Sequence, residues 1–333
     1  MSFAAFVTRR FAFAVFAALL VVTLTFGVVA LTPNPQLQGE LAMMERSGAS
    51  DAEIEQFKSE FRKEHGMTGS LVERYGKWVV GIATLDWGET ASLGNRPVTD
   101  VVANRLPYTL AYVVPSFLLT LSLGVLGGLF DALNRNSATD RGSRLVAYAA
   151  MGIPSFWLVN FLDQWYNYPW LVPRAVVPQA SATIGSTWQF SHPLRYALPT
   201  FVLSLGLLAG LLQHARAESL EHVNADFVKL LYAKGSGRLQ TARHVLRNAA
   251  IPILSMSLSE VIAVLMLNVY VIETVFGIPG VGALSLYAVE NRDMALILGT
   301  TMVLVFVGIV GNFFQDVLHG YLDPRIEQGG ESA

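Results

Sequence analysis

The sequence predicts an all-α membrane protein of about six transmembrane helices, on three observations: the scarcity of charge, the spacing of the apolar runs, and the side on which the arginines fall. Of the 333 residues, 53% are hydrophobic and only 14% charged, with a mean hydropathy of +0.44. A soluble domain carries about 25% charge, so this chain lacks the polar residues to cover itself in water. The charge is also segregated, long apolar runs alternating with short charged stretches, as in polytopic membrane proteins. A net charge of −2 and a pI near 6.3 give no sign of nucleic-acid binding. The absence of cysteine excludes disulfide and thiolate chemistry and is silent on compartment.

Crossing a bilayer as a helix takes about 20 mostly apolar residues. Six stretches meet this, at 11–31, 107–130, 144–170, 196–216, 250–273 and 294–318. The first follows Arg9 and Arg10. Its apolar run is longer than a signal-peptide core and no small-x-small cleavage site follows, so it reads as a retained span. Short connections after the second and fourth spans hold Arg135, Arg141, Arg144, then Arg216, Lys229, Lys234, Arg238, Arg243 and Arg247; the opposite side offers Arg174, Arg195 and Arg292. The positive-inside rule therefore puts both termini in the cytoplasm. The expected organisation is a tail and first span over 1–31, an extracytoplasmic segment over 32–105, a five-helix core over 106–318 with a cytoplasmic loop at 217–249, and a cytoplasmic tail over 319–333.

The extracytoplasmic segment carries two helical signals. Ser50 and Glu53 form a capping-box pattern ahead of Ile54, Phe57 and Phe61 at helical spacing, and Tyr75, Trp78, Val79 and Ile82 make a second amphipathic stretch. Two short helices against the outer mouth are expected, either functional or merely packed there.

The cytoplasmic loop is the most informative segment. Residues 218–235 are helix-prone, with Phe227, Leu230 and Leu231 on a shared face beside Asp226, Lys229 and Lys234. Gly235-Ser236-Gly237 breaks the helix, and a second basic helix over 238–248 is expected to stop near Pro252. Some thirty residues of ordered loop far exceed the roughly two to eight that join packed helices, which points to a docking surface.

At this point several motifs resemble one family. Arg9-Arg10 precedes the first span; Asn104-Arg105-Leu106-Pro107-Tyr108-Thr109-Leu110 opens the second; Ile153-Pro154-Ser155-Phe156-Trp157 lies in the third. Asp226-Phe227-Val228, Ala233-Lys234-Gly235 and the run from Arg243 to Pro252 mark the loop. Glu273-Thr274-Val275-Phe276 with Pro279-Gly280-Val281-Gly282 closes the fifth span, and Leu322-Asp323-Pro324-Arg325-Ile326 follows the sixth. Together, and in this order, they resemble the first-permease type of oligopeptide and dipeptide ABC importers. The chain departs from that pattern in three places. The loop motif Glu-Ala-Ala-x3-Gly reads Lys229-Leu230-Leu231 and keeps only Gly235; Pro33-Asn34-Pro35 stands where the family shows Pro-Gly-Asp; and 163–168 is more polar than usual.

The resemblance implies a type I ABC importer permease fold, with a homologous second permease, two ABC ATPase subunits and an extracytoplasmic binding protein as partners. It also implies that the helix around 225–235 couples to the ATPase, with Phe227, Leu230 and Leu231 as apolar anchors, Asp226, Lys229 and Lys234 at the rim, and Gly235 at the turn. The alternative for that helix is a solvated basic helix lying on anionic lipid. Peptides are the implied cargo, with nickel, glutathione or a sugar as alternatives in the same architecture.

Polar residues inside spans are the candidates for the pathway: Asn160, Asp163 and Gln164, Glu260 and Asn268, Asn312 and Gln315. Each has a second reading. The aromatic-rich 163–168 stretch suits an interfacial anchor, and Asn, Gln or Glu can bond helix to helix. Ser204, Ser255, Ser257 and Ser259 read as close-packing positions. No phosphate loop, His-Glu-x2-His or Gly-x-Ser-x-Gly element occurs, so no cofactor, metal or catalytic site is expected and ATP belongs to a partner. A membrane-embedded hydrolase would need a facing nucleophile and base, and a secondary carrier would need internal repeats; neither pattern is present.

Overall fold

Within a bilayer the backbone must satisfy its own hydrogen bonds, and this chain does so almost wholly with helices. The computed structural model describes residues 3–33, 35–64, 68–154, 157, 158, 161 and 196–322, the side chains of 35, 36, 64, 251, 254–266, 319, 321 and 322 excepted. The elements are α1 (Phe3–Leu31), α2 (Pro35–Arg46), α3 (Asp51–Glu64), α4 (Leu71–Thr84), the ribbon β1 (Glu89–Thr90) and β2 (Arg96–Pro97), α5 (Val98–Leu133) and α6 (Ala138–Gly152). They continue with α7 (Ala197–Val223), α8 (Asp226–Ala233), α9 (Arg238–Phe276), α10 (Val281–Glu290) and α11 (Met294–Leu322).

Four of these are long and apolar enough to cross a membrane: Phe3–Leu31, Val98–Leu133, Ala197–Val223 and Met294–Leu318. A fifth is formed if Leu267–Phe276 and Val281–Glu290, bent by 85°, make one broken span. The expected third span at 144–170 falls largely outside the described residues, which hold its start in α6. The outward faces of these helices are apolar: Phe13, Leu24 and Val28 of α1, Leu118 and Leu126 of α5, and Val307 and Phe314 of α11 are all exposed. Only a hydrocarbon solvent makes such a surface stable.

Two expectations about the helices change. The basic helix over 238–248 and the fifth span are one continuous 39-residue helix, α9, with Pro252 inside it. Continuing through the proline forfeits about one backbone bond, whereas stopping there would leave up to four carbonyls and four amides without partners. Conversely, residues 218–235 do not form one helix: α7 runs to Val223, and α8 begins afresh after Ala225.

Helices α5 and α7 pack most closely. Ser116, Thr120, Gly124 and Gly128, one per turn on α5, face α7: the Ser116 hydroxyl donates to the Thr200 carbonyl (3.0 Å) and the Thr120 hydroxyl to that of Ser204 (3.4 Å). At Gly128 even a methyl group would lie 2.6 Å from Cβ of Ala215. This is the small-residue packing by which membrane helices approach without a hydrophobic driving force. Ser204, also buried, reaches across this seam: its hydroxyl donates to the Ser116 carbonyl of α5 at 3.4 Å and, within α7, to that of Thr200 at 2.6 Å.

At the end of the bundle near α8, the α5–α6 corner is tied to α7 by charge. Fully buried Asp140 accepts Nε and Nη2 of Arg216 at 2.6 and 3.0 Å, the Asn136 amide at 2.9 Å, and has Arg144 Nε at 3.7 Å. Ser143 donates to the neighbouring buried Asp131. Arg216 is thus committed to an ion pair as well as marking a side of the membrane. At the opposite end, the β1–β2 ribbon sits on α10 and α11. The Asp293 carboxylate accepts from the amide and hydroxyl of Ser92 (2.9 and 2.7 Å) and caps α11 through the Leu296 amide, over a core of Leu93, Val98, Leu284 and Leu296.

The two amphipathic stretches of the 32–105 segment are helical. Ser50 and Glu53 exchange hydrogen bonds as a capping box, and Ile54 and Phe61 of α3 close a small core with Leu37 and Leu41 of α2. Helix α2, which the sequence pattern did not announce, exists to complete that core.

Candidate functional site: the α8 turn and a buried carboxyl at a helix break

Helix α8 is a single eight-residue element between α7 and α9. Val228 seats it, 2% exposed, against Leu129 of α5 and Val245 of α9. Phe227, expected as the leading outward anchor, is half-buried on this same cluster. The reason is helical geometry: at 100° per residue Leu230 lies about 160° around the axis from the inward Val228, and Phe227 falls between the two. Leu230 is 61% and Tyr232 51% exposed, and Leu239 on the first turn of α9 is 86% exposed. Leu231 is half-buried. Lys229 pairs with Asp226 at 2.7 Å on an open surface, an arrangement worth about 0–1 kcal/mol. Lys234 caps the helix. Gly235 then takes φ +80°, its amide bonding the Tyr232 carbonyl (2.9 Å) and the Ser236 amide that of Leu231 (3.0 Å). This is a Schellman turn, in which a left-handed residue satisfies the last carbonyls of the helix.

Of the expected pathway residues, only Asn268, Asn312 and Gln315 have described side chains, on α9 and α11. Asn160, Asp163 and Gln164 lie outside the described residues, as does the Glu260 side chain. Asn268 is half-buried two turns before the end of α9, whereas Asn312, exposed, and Gln315, half-buried, lie toward the far end of α11 beside the Arg10–Asp316 ion pair (3.2 Å).

A different group assembles. The motif that opens the second span and the motif that closes the fifth, more than 160 positions apart, meet at Glu273. Its carboxyl group is fully buried. Oε1 accepts the Thr109 hydroxyl at 2.6 Å and the Tyr112 hydroxyl at 3.2 Å, and Oε2 accepts the Ala283 amide at 2.9 Å. Thr109 in turn accepts the Val281 amide (2.9 Å), and Arg105 Nη1 donates to the Pro279 carbonyl (3.3 Å). Glu273 and Thr109 between them therefore take first-turn amides of α10, which a helix leaves without internal partners, and fasten them to α5. Space is tight: a Cβ on Gly280 would lie 2.2 Å from Glu273 Oε1 and 2.5 Å from Thr109 Oγ1, so only glycine lets the backbone approach. Gly277, with φ +61°, ends α9 just before the break. Sequence reasoning took Asp163 and Glu260 as the acidic pathway candidates and read Glu273 only as part of a motif, because periodicity does not show which distant element an end-of-span residue will meet.

The described residues form a membrane bundle, almost wholly helical, whose polar sites join helix to helix. The model of the family described as "Binding-protein-dependent transport system inner membrane component" matches residues 124–328, and this chain belongs to that family. It is a membrane-spanning permease component of an ABC importer and not an enzyme. Similar proteins cover nearly its whole length. A peptide transport system permease protein of Brucella abortus (strain 2308) is 28% identical over 97% of this chain and 98% of its own. The oligopeptide transport system permease protein AppB of Bacillus subtilis (strain 168) is 27% identical over 97% and 99%. The dipeptide transport system permease protein DppB of the same strain is 26% identical over 97% and 98%.

Proposed function

We propose that this permease forms, with a homologous second permease, the pathway for peptides delivered by an extracytoplasmic binding protein, and that α8 couples it to one of two partner ATPases. The peptide cargo rests on the names of the relatives. The coupling role rests on one observation above all. A short helix, anchored by Val228 at the end of the bundle, presents Leu230 and Tyr232 outward and terminates in a glycine turn. The glycine is what remains here of the family's loop motif. Of the residues Asp226, Phe227, Lys229, Leu230, Leu231, Lys234 and Gly235, those with free apolar surface carry the contact, and Phe227 supports them from beneath.

The double variant Leu230→Asp/Tyr232→Ala should therefore fold and yet lose its ATPases during purification, a deficit of about 2 kcal/mol or more, or some 30-fold in affinity. Phe227→Ala should instead lower the thermal stability of the isolated permease, by about 2–3 kcal/mol. Gly235→Val, which places a β-branched residue at positive φ with a strain of about 1–2 kcal/mol, should uncouple ATP hydrolysis from transport, and Gly235→Asn should be milder. Full retention of the ATPases by the double variant would sink the assignment of α8.

We also infer that both termini and α8 face the cytoplasm, since the short connections at that end hold most of the arginines. Reporter fusions at Ser137 and Ala333 should then read inside and one at Ser70 outside; an outside signal at Ala333 would reject this orientation.

A further inference from the structure

Helix α4 has three faces, each one residue out of step with the next. Leu71, Tyr75, Trp78 and Ile82 form the first, Val72, Gly76, Val79 and Ala83 the second, and Glu73, Lys77, Val80 and Thr84 the third. The first packs on the spans: Ile82 and Trp78 join Val22 of α1 and Met302 of α11 in one cluster, and Phe26 meets the rings of Tyr75 and Trp78 at 5.4 and 6.4 Å. The third face holds two charged residues and a hydroxyl, with Val80, 60% exposed, on its border with the second. The second is apolar: Val79 packs at the edge of the cluster just named, while Val72 is 79% exposed and Gly76 and Ala83 are exposed.

We propose that α4 is an interfacial membrane helix whose Val72–Gly76–Ala83 face rests on lipid acyl chains at the ribbon-bearing end of the bundle, with its Glu73–Lys77–Thr84 face turned to water. Three observations carry this. The first is depth. The 29 residues of α1 measure about 43 Å, which matches a bilayer with its headgroups at about 40–45 Å. Helix α4 meets α1 between Val22 and Phe26, five to nine residues short of Leu31, so it runs about 8–13 Å below that end. An amphipathic helix lying in the interface reaches about 5–10 Å into the boundary between headgroups and chains. The second is continuity: Val79 of that face shares a cluster with Val21 of α1, one and two turns from Leu24 and Val28, which are 62 and 65% exposed. The third is polar satisfaction. Trp78 Nε1 donates to the Val22 carbonyl (3.1 Å) and the Tyr75 hydroxyl bonds that of Thr23 (2.7 Å). In water these groups would need no such partners; in hydrocarbon an unpaired one is costly.

The chain has no cysteine, so single nitroxide labels can be introduced by Val72→Cys, Ala83→Cys, Lys77→Cys and Thr84→Cys, all at exposed positions. The assembled transporter would be reconstituted in phosphatidylcholine–phosphatidylglycerol bilayers, with the cysteine-free permease in the same complex as background. Collision rates with dissolved oxygen and with a water-soluble nickel chelate report the surroundings of each label. The ratio of oxygen to nickel collisions should be several-fold higher at positions 72 and 83 than at 77 and 84. Similar nickel access at all four positions would place α4 in water and overturn the proposal. Exclusion of both reagents at 72 and 83 would mean that a protein surface covers the face, and would overturn it equally.

Discussion

Replacing Glu273 by alanine should abolish transport and lower the stability of the permease by about 3–5 kcal/mol. The carboxyl group is the shared acceptor for two buried hydroxyls and the Ala283 amide, and each buried donor left without a partner costs about 1–3 kcal/mol. The truncation also opens a void in a fully buried site. Glu273→Gln should fall between, because its carbonyl can still accept from Thr109 while its amide points a donor at the Ala283 N–H. Gly280→Ala should resemble Glu273→Ala although it removes nothing, since the added methyl group displaces the carboxyl group it would otherwise overlap. Transport into proteoliposomes and thermal unfolding in detergent, measured on all three, would check this. Equal stability of Glu273→Ala and the parent would show that the α9–α10 break is held by other contacts.

The second large effect is expected at the α5–α6 corner. Arg216→Met takes from buried Asp140 its two short charged hydrogen bonds and leaves it the Asn136 amide and Arg144 Nε at 3.7 Å, and breaking a buried pair in this way destabilises by up to about 3–5 kcal/mol. The double variant Asp140→Leu/Arg216→Met should recover much of this, because replacing both partners removes the charge that needed compensation. The effect has a defined pH dependence. Hydrogen bonds from Arg216 above all, opposed by burial, hold the Asp140 carboxyl below its ordinary 3.8, at about 2. A depressed carboxylate stabilises fully above the unfolded value and loses its contribution as pH falls through the folded one. The stability difference between the parent and the double variant Asp140→Leu/Arg216→Met, which lacks the carboxyl group, should thus be flat from about pH 8 to pH 5 and shrink only as the pH drops from about 4 toward 2. A difference that changed near neutrality would implicate another group.

Most of the bundle was legible because its signals are local. Apolar runs long enough to span, Ser50–Glu53 ahead of a helix, and Gly235 after Lys234 each state their own structure within a few residues. What escaped was of two kinds. Pro252 reads as a stop, yet in a setting where frayed ends have no water to bond, continuing the helix is the better solution. The polar node at Glu273 and the clamp between Asp140 and Arg216 join residues on separate helices. A single sequence holds the partners without the pairing, so Glu273 read only as part of a motif and Arg216 as a simple topological charge. The depth of Phe227 on α8 was not legible either: Leu230 lies about 160° around the axis from the inward Val228 and stays exposed, and Phe227, between the two, is half-buried.

Helix α9 joins these two places. It begins directly after the Gly235–Gly237 turn and ends at Glu273 and the break that follows, a rod of 39 residues and about 58 Å. A lever of that length turns a tilt of about 5° at the α8 end into a sideways travel of about 5 Å at the other, comparable with the width of a peptide backbone. Pro252, a third of the way along, is where the lever can give, so its stiffness there sets how much of a push at one mouth arrives at the other.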